Sequence, residues 1–355
     1  MFFCLRVITY MSKKLFRIGG RQMKKKIILL LITLCVMSLV FTGCTGNKTE
    51  VEPKEADKVE PITLNVASPG GPTTVTLVKM IKDNPSLGEE VTTVYEVLKT
   101  PDILTAKLIG GELDFAVVPT NLAVVMNNKE VDYRIAASSV WGLLYIASSE
   151  ELATIEDLKG KEIYTIGRGI TPDILLRYIL TSNGLNPDED VTINYLNSPQ
   201  ELAQYMISGK ASVAVMPEPI LTTALTKKDD IKIVFNMQEE WSKITGLDSY
   251  PMSSLIVKGS LVDERPEIVD AFLKEYKKSI EWVNSNPQDA GAMTEKLDIG
   301  LKAPIVAKAI PRSNLKYVGI NEAKPAILEY INVLHEFSPK TIGGKLPSEE
   351  LYMEK

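Results

Sequence analysis

Residues 115–121 read Phe-Ala-Val-Val-Pro-Thr-Asn, and residues 213–219 read Val-Ala-Val-Met-Pro-Glu-Pro. Each is a short apolar run ended by proline, the pattern of a strand buried on both faces. The two runs lie 98 residues apart, and the same offset aligns much of their surroundings without a gap. Gly71 falls on Gly169, Thr73 on Thr171, Leu77 on Leu175 and Ile81 on Ile179. Further on, Leu98 falls on Leu196, Pro101 on Pro199, Leu104 on Leu202, Ile109 on Ile207 and Gly111 on Gly209. Any two strand–helix units share apolar periodicity, which accounts for the aliphatic pairs. The Gly, Thr and Pro pairs at one constant offset point to two lobes of the same topology.

Outward from these runs, β-like and helical stretches alternate. Residues 62–67 and 162–166 read as strands; 73–82 and 174–182 carry helical apolar spacing. Such alternation predicts an α/β protein with two lobes, each a mixed, mostly parallel sheet flanked by helices. After residue 265 the chain reads as helical over 266–284, 303–315 and 323–337. The stripe of Ile268, Phe272, Tyr276 and Ile280 is a core face. His335 is a surface or packing residue rather than a ligand.

The paired turns stand where chemistry is expected. Each lobe has a strand, a Gly-x-Thr turn and a helix, around Gly71-Pro72-Thr73 and around Gly169-Ile170-Thr171. Thr171 followed by Pro172 predicts a helix N-cap with Pro at the first helical position. Each lobe also has a strand ending in Pro, at Val118-Pro119-Thr120-Asn121 and Met216-Pro217-Glu218-Pro219. Ligands of open α/β sheets bind beyond the carboxyl ends of strands. Four such ends facing one another make a cleft; the plainer alternative is that they are only caps and turns.

Composition narrows the partners. The chain has 355 residues, enough for about two domains, with 45% hydrophobic and 24% charged residues. The net charge of −5 hides a split, because residues 1–43 hold eight cations and no acid. The remainder has 32 basic against 45 acidic residues, a balance of −13 that disfavours nucleic acid. A single histidine removes most zinc sites, His-based triads and haem ligation.

The basic stretch opens an export signal. Lys24-Lys25-Lys26 precedes an uncharged, mostly apolar run from Ile27 to Thr42. That run is shorter than the roughly 20 residues a membrane span needs. It ends Phe41-Thr42-Gly43-Cys44, which resembles a lipobox, with Phe and Thr looser than the usual residues. The alternative is a transmembrane anchor with an incidental cysteine. Cys4 and Cys35 lie within or before the signal, so Cys44 alone survives cleavage, and its use is as a lipid-anchor site. Residues 1–22 fit no part of a signal, and translation is expected to begin at Met23. Residues 44–60 comprise the lipidated cysteine and a charged tether that cannot bury enough to offset its ordering entropy.

Taken in order, GGPTTVTLVKMI (70–81), IGGELDFAVVPTNLA (109–123), IEDLKGKEIYTIGRGITPDILLRYIL (155–180), AVMPEPILTTAL (214–225) and RPEIVDAFLKEYKKSIEWVNSNPQDA (265–290) resemble one family. It is the nitrate/sulfonate/thiamine-precursor group (SsuA- and THI5-like) of ABC-importer solute-binding proteins, with the type II periplasmic-binding fold. The resemblance spans about residues 62–351. It implies two crossovers between lobes, near residues 141–148 and 249–258. Lobe one is then 61–145 plus 250–345, lobe two 146–249, and 346–355 a C-terminal tail. It also implies closure by hinge bending, an extracytoplasmic location, ABC permease and ATPase partners, a monomer, and neither metal nor cofactor. The ligand contacts it implies are Gly71, Pro72, Thr73, Thr120, Asn121, Ser139, Trp141, Arg168, Gly169, Ile170, Thr171 and Glu218. Arg168 suits a sulfonate or carboxylate; Glu218 suits an amino or ring N–H group; Trp141 suits a heteroaromatic ring. No cysteine- or histidine-rich site of the kind some pyrimidine-handling relatives carry is present. The alternative function is an enzyme on the same fold, of the pyrimidine-precursor or menaquinone-pathway type. A sensory input domain would need a membrane helix beyond the domain, and no such run follows residue 44.

Overall fold

The structure is a computed structural model that describes residues 61–354. The expectations for residues 1–22, the signal over 23–43, the lipidated Cys44 and the tether to residue 60 lie outside the described residues.

The first half-unit runs β1 (Ile62–Pro69), α1 (Pro72–Asp83), β2 (Val91–Leu98), α2 (Pro101–Ile109), β3 (Phe115–Pro119) and α3 (Thr120–Asn128). Then β4 (Tyr133–Trp141) leads across to β5 (Leu144–Ser148). The second half-unit runs β6 (Glu162–Ile166), α4 (Thr171–Ser182), β7 (Thr192–Leu196), α5 (Pro199–Ser208), β8 (Val213–Pro217) and α6 (Ile220–Lys227). It is followed by β9 (Lys232–Asn236), α7 (Met237–Thr245) and the returning strand β10 (Pro251–Lys258). The remainder is α8 (Gly259–Glu264), α9 (Pro266–Ser285), α10 (Pro287–Lys296), α11 (Ala303–Ala309), β11 (Leu315–Gly319) and α12 (Ile320–Phe337).

Two sheets form. The first has the order β11-β4-β10-β3-β1-β2, and the second β7-β6-β8-β5-β9. In each, three strands are parallel: β2-β1-β3 in one and β7-β6-β8 in the other. The remaining pairings are antiparallel, so both sheets are mixed, with the parallel part at one side.

The repeated topology extends to the residues that aligned in sequence. Gly71 and Gly169 both have positive φ, 126° and 72°. Pro101 and Pro199 both open a helix capped by the preceding hydroxyl: Thr100 accepts from Ile103 N–H and Ser198 from Glu201 N–H. Gly111 and Gly209 both follow a helix in the left-handed region, at 65° and 74°. Residues 115–118 and 213–216 are buried throughout, as strands covered on both faces must be.

The chain passes from the first sheet to the second at Gly142–Leu143, and back between Thr245 and Pro251. One apolar core spans both lobes. Its middle is an aromatic group in which Trp241 packs on Tyr178, Tyr250 and Tyr330, with ring centroids 5.4, 5.4 and 6.5 Å apart. Tyr330 comes from α12, which packs on β4, β10 and β11 and also meets α4 of the other lobe. A satellite core of Leu202, Met206, Ala214, Met216 and Leu221 fills one side of the second sheet.

The third segment differs from expectation in one place. The helix expected over 303–315 stops at Ala309, continues as a 3₁₀ turn over Ile310–Arg312, and gives way to β11 at Leu315. Pro311 removes a backbone donor, and Asn314 takes a left-handed φ of 46°, so the helix cannot continue. The C-terminal residues are docked: Leu351, Tyr352 and Met353 are buried, and Met353 N–H donates to Ile135 O. Among the described residues no helix is long and apolar enough to cross a membrane.

Candidate functional site

The carboxyl ends of β1 and β3 in one lobe and of β6 and β8 in the other carry the paired turns. Their side chains divide between those that hold a turn and those that reach the opposite lobe.

In the first lobe the turn residues are held locally. Gly71 takes a φ of 126°, which side-chain-bearing residues rarely adopt, and lets Pro72 open α1. Thr73 and Thr74 both donate to Pro69 O, at 2.6 and 2.8 Å. Thr120 shares a hydrogen bond with Ser254 at 2.9 Å, and Ser138 approaches Ser254 at 3.3 Å. Ser139 is buried on the other face of β4, beside the Tyr276 hydroxyl. Burial holds that phenol well above its usual range, and the nearby Ser139 and Thr76 hydroxyls oppose this only in part. Neutral hydroxyls thus underlie this half of the cleft. They offer donors and acceptors but no charge.

In the second lobe Gly169 has a φ of 72°, and its N–H donates to Asp173 Oδ2 at 2.7 Å. Thr171 is not the N-cap. Ile170 occupies that position without a side-chain bond, and Thr171 is already the first residue of α4. The Thr171 hydroxyl pairs instead with the Tyr330 hydroxyl at 2.8 Å, across to the first lobe, while Asp173 serves the helix start. Ile170 is half-exposed. Arg168 is exposed, and its guanidinium lies 4.5 Å over the Tyr195 ring. Tyr195 in turn donates to Asp173 at 2.7 Å. No hydrogen bond to the Arg168 guanidinium exists among the described residues.

Glu218 is engaged. One carboxylate oxygen accepts from Thr222 N–H at 3.0 Å, and the other from the Thr222 hydroxyl at 2.9 Å. Arg312, from the 3₁₀ turn before β11, donates to Glu218 at 2.6 Å and to the Thr222 hydroxyl at 2.6 Å. Beside them Tyr145 donates to Arg312 O at 2.8 Å. Burial pushes the Tyr145 phenol up to about 12; the Glu218 charge adds to this and Arg312 opposes it.

A second bridge between lobes lies at Gly169, whose carbonyl accepts from the Thr341 hydroxyl at 2.8 Å. Thr341 O accepts from Asn121 at 3.1 Å. The expected residues Asn121, Gly169, Thr171 and Glu218 therefore join the lobes directly or through one intermediary. Pro72 faces Pro219 across an apolar gap of about 10 Å³, room for about one water. Trp141 stands apart: its indole N–H donates to Lys316 O at 2.9 Å, and it lines a cavity of about 750 Å³ on the flank at β11.

Arg312, Thr222, Tyr330 and Thr341 are among the bridging residues that the sequence did not single out. Arg312 belongs to a set of only five arginines after residue 44, a weak signal. Tyr330 carries none, because it sits in a helix whose periodicity reads as packing, and Thr341 lies in the turn beyond that helix.

The family model described as the NMT1-like family matches residues 99–297, more than half of the chain. An ABC transporter structure from Parabacteroides distasonis is 27% identical, with TM-score 0.72, covering 82% of this chain and 99% of that chain. The periplasmic aliphatic sulphonate binding protein SsuA from Escherichia coli is 16% identical, with TM-score 0.64, covering 83% of this chain and 95% of that one. The periplasmic nitrate-binding protein NrtA from Synechocystis is 13% identical, with TM-score 0.51, covering 74% of each chain. The last two likenesses concern the fold alone. No curated protein matches the chain.

Proposed function

This chain belongs to the NMT1-like family, and from that premise we propose that it is the solute-binding receptor of an ABC importer. The receptor captures a small solute between its lobes and delivers it to a permease by hinge closure. It stands outside the cell membrane, held by lipid on Cys44, and acts as a monomer. The hinge is the pair of crossovers at Gly142–Leu143 and before Pro251.

One observation carries the proposal. The two lobes present matching strand-end turns to each other, and the bonds between them (Glu218 to Arg312, Thr171 to Tyr330, Gly169 to Thr341) require the lobes to be closed. A two-lobed body with side chains made for both halves of one interface suits a capture device. The solute contacts are Gly71, Pro72, Thr73, Thr120, Asn121, Ser139, Arg168, Gly169, Ile170 and Thr171. Glu218 acts in closure rather than as an acceptor for solute, since its carboxylate already serves Thr222 and Arg312. Arg168, with its donors unengaged and its plane stacked on Tyr195, is placed to pair an anion bidentately. The solute class favoured is a small sulfonate or carboxylate.

The test is a thermal-shift screen of the purified protein with taurine and alkanesulfonates, nitrate, bicarbonate, pyrimidines, thiamine, riboflavin and amino acids. A ligand at 100 times its dissociation constant stabilises the folded state by about 2.7 kcal/mol. A shift from anionic members that is lost in Arg168→Ala supports the proposal. No shift from any member would count against it. An enzyme on this fold would convert the bound compound, so product analysis of the same mixtures separates the two functions.

A further inference from the structure

The cavity of about 750 Å³ lies on the flank where β11 is the edge of the first sheet. Its walls come from both lobes: Trp141, Leu315 and Val318 on one side, Leu247 and Asp248 after α7 on the other. The volume falls within the range of about 300–1,000 Å³ usual for small-molecule sites. Ile310 and Leu315 separate it from the gap between Pro72 and Pro219. Among the residues expected to contact solute, Trp141 alone lines it.

The polar groups of the lining are biased toward accepting. Asn284 donates its amide to Leu315 O at 2.7 Å, and Asn314 donates its amide to Gly142 O. The Trp141 N–H is engaged with Lys316 O. Those donors serve the backbone, which leaves the amide oxygens of Asn284 and Asn314 as the acceptors of these two lining residues. Asp248 and Glu322 are exposed on the rim, and neither has an ion-pair partner among the described residues. Lys316 is the only cation among the described lining residues, and it is exposed. The Gln238 amide supplies the other donor, since its oxygen accepts from Ser249.

We propose that this cavity is a second ligand site, separate from the cleft, for a small organic ammonium compound with an apolar body. The ammonium, with three N–H donors, pairs with Asp248 and Glu322 and leaves one donor for an amide oxygen. The body packs on Trp141, Leu247, Leu315 and Val318. Because the walls belong to both lobes, an occupant binds the closed arrangement better than any open one and favours closure. The site does not depend on which solute the cleft takes, and loss of a thermal shift in Arg168→Ala assigns that shift to the cleft rather than to this cavity.

Titration calorimetry on the detergent-solubilised full-length protein tests it. The probes are 2-phenylethylammonium and cyclohexylmethylammonium, each against the matching carboxylate, 3-phenylpropionate or cyclohexylacetate. The ammonium probes are expected to bind with a dissociation constant of about 1 mM or tighter, and the carboxylates at least tenfold more weakly. The double variant Asp248→Asn, Glu322→Gln weakens the ammonium probes by about tenfold or more, as loss of hydrogen bonds to charged groups requires. Both positions are exposed, so the melting curve should move only a little, by the charge that Glu322 gives the first turn of α12. Equal binding of both charge types, binding of neither ammonium, or unchanged affinity in the double variant would overturn the proposal.

Discussion

The Arg312 guanidinium lies 2.6 Å from a carboxylate oxygen of Glu218, joining the turn before β11 to the end of β8 in the other lobe. The Glu218 side chain is 0% exposed and that of Arg312 33%. A carboxylate enclosed at the lobe interface is therefore balanced by a cation from across the divide. Opening the lobes would return both groups to water, so on the proposed hinge the pair favours closure rather than the fold of either lobe.

Arg312→Ala leaves that carboxylate enclosed and without its cation. Breaking a buried pair costs about 3–5 kcal/mol, an upper limit here because Arg312 is partly exposed and screened. On the proposed hinge, opening of the lobes relieves most of this. The expected result is a larger radius of gyration in solution scattering and weaker solute binding, with only a small loss in thermal stability. A variant as compact as the wild type would show that Glu218 and Arg312 do not hold the lobes.

Gly142 sits at the first crossover, where a Cβ would lie 2.8 Å from Tyr250 Cζ and 3.1 Å from Gln238 Cβ. Tyr250 is fully buried and packed between Trp241 and Tyr330, so it has nowhere to move. Gly142→Ala is expected to destabilise by about 1–3 kcal/mol, the usual effect of overpacking. The midpoint of urea unfolding checks this. An unchanged midpoint would mean that the crossover is looser than its packing indicates.

Alkaline pH should unfold the protein through its buried phenols. Burial pushes Tyr133 and Tyr145 up to about 12 from an ordinary value of 10.0. Between those values the unfolded chain releases protons that the folded chain keeps, so stability falls as pH rises. The contribution is fully present below pH 10 and is lost by about pH 12. Each such tyrosine adds a slope of up to about 1.4 kcal/mol per pH unit. Unfolding midpoints measured from pH 8 to 11.5 should be flat at first and fall above 10. Tyr133→Phe should flatten part of that fall, and a fall of undiminished steepness would contradict the assignment.

If the proposed lipid anchor is on Cys44, Cys44→Ser should move the protein from the membrane fraction to the soluble one and abolish incorporation of a labelled fatty acid. Two acyl chains anchor a protein stably, since each buried methylene contributes about 0.8 kcal/mol. Continued membrane association of the variant would indicate that the apolar run over 27–42 is retained as an anchor.

The repeat was legible because local chemistry enforces it. A left-handed turn selects Gly at 71, 169, 111 and 209, and a capped helix start selects Thr100-Pro101 and Ser198-Pro199. Burial on both faces selects the unbroken apolar runs of β3 and β8. These demands act within a few residues, so the sequence by itself determined the α/β class, the two matched lobes and the turns at the strand ends. The boundary of the helix expected over 303–315 was missed because Pro311 and Asn314 end it one turn before the apolar spacing does.

The use of each polar group was not legible, because it depends on what another lobe brings alongside. Thr171 has the sequence of a helix cap, yet Tyr330, 159 positions away, takes its hydroxyl. Glu218 has the sequence of a ligand acceptor, yet Arg312, 94 positions away, takes its carboxylate. Trp141 reads as a cleft residue, yet the backbone of β11 turns its indole to the flank cavity. Hydrogen bonds and ion pairs act over about 3 Å in space, with no period along the chain for a sequence to display. Local order was written in the sequence, whereas the pairing of charges and hydroxyls across the cleft was decided only when the lobes met.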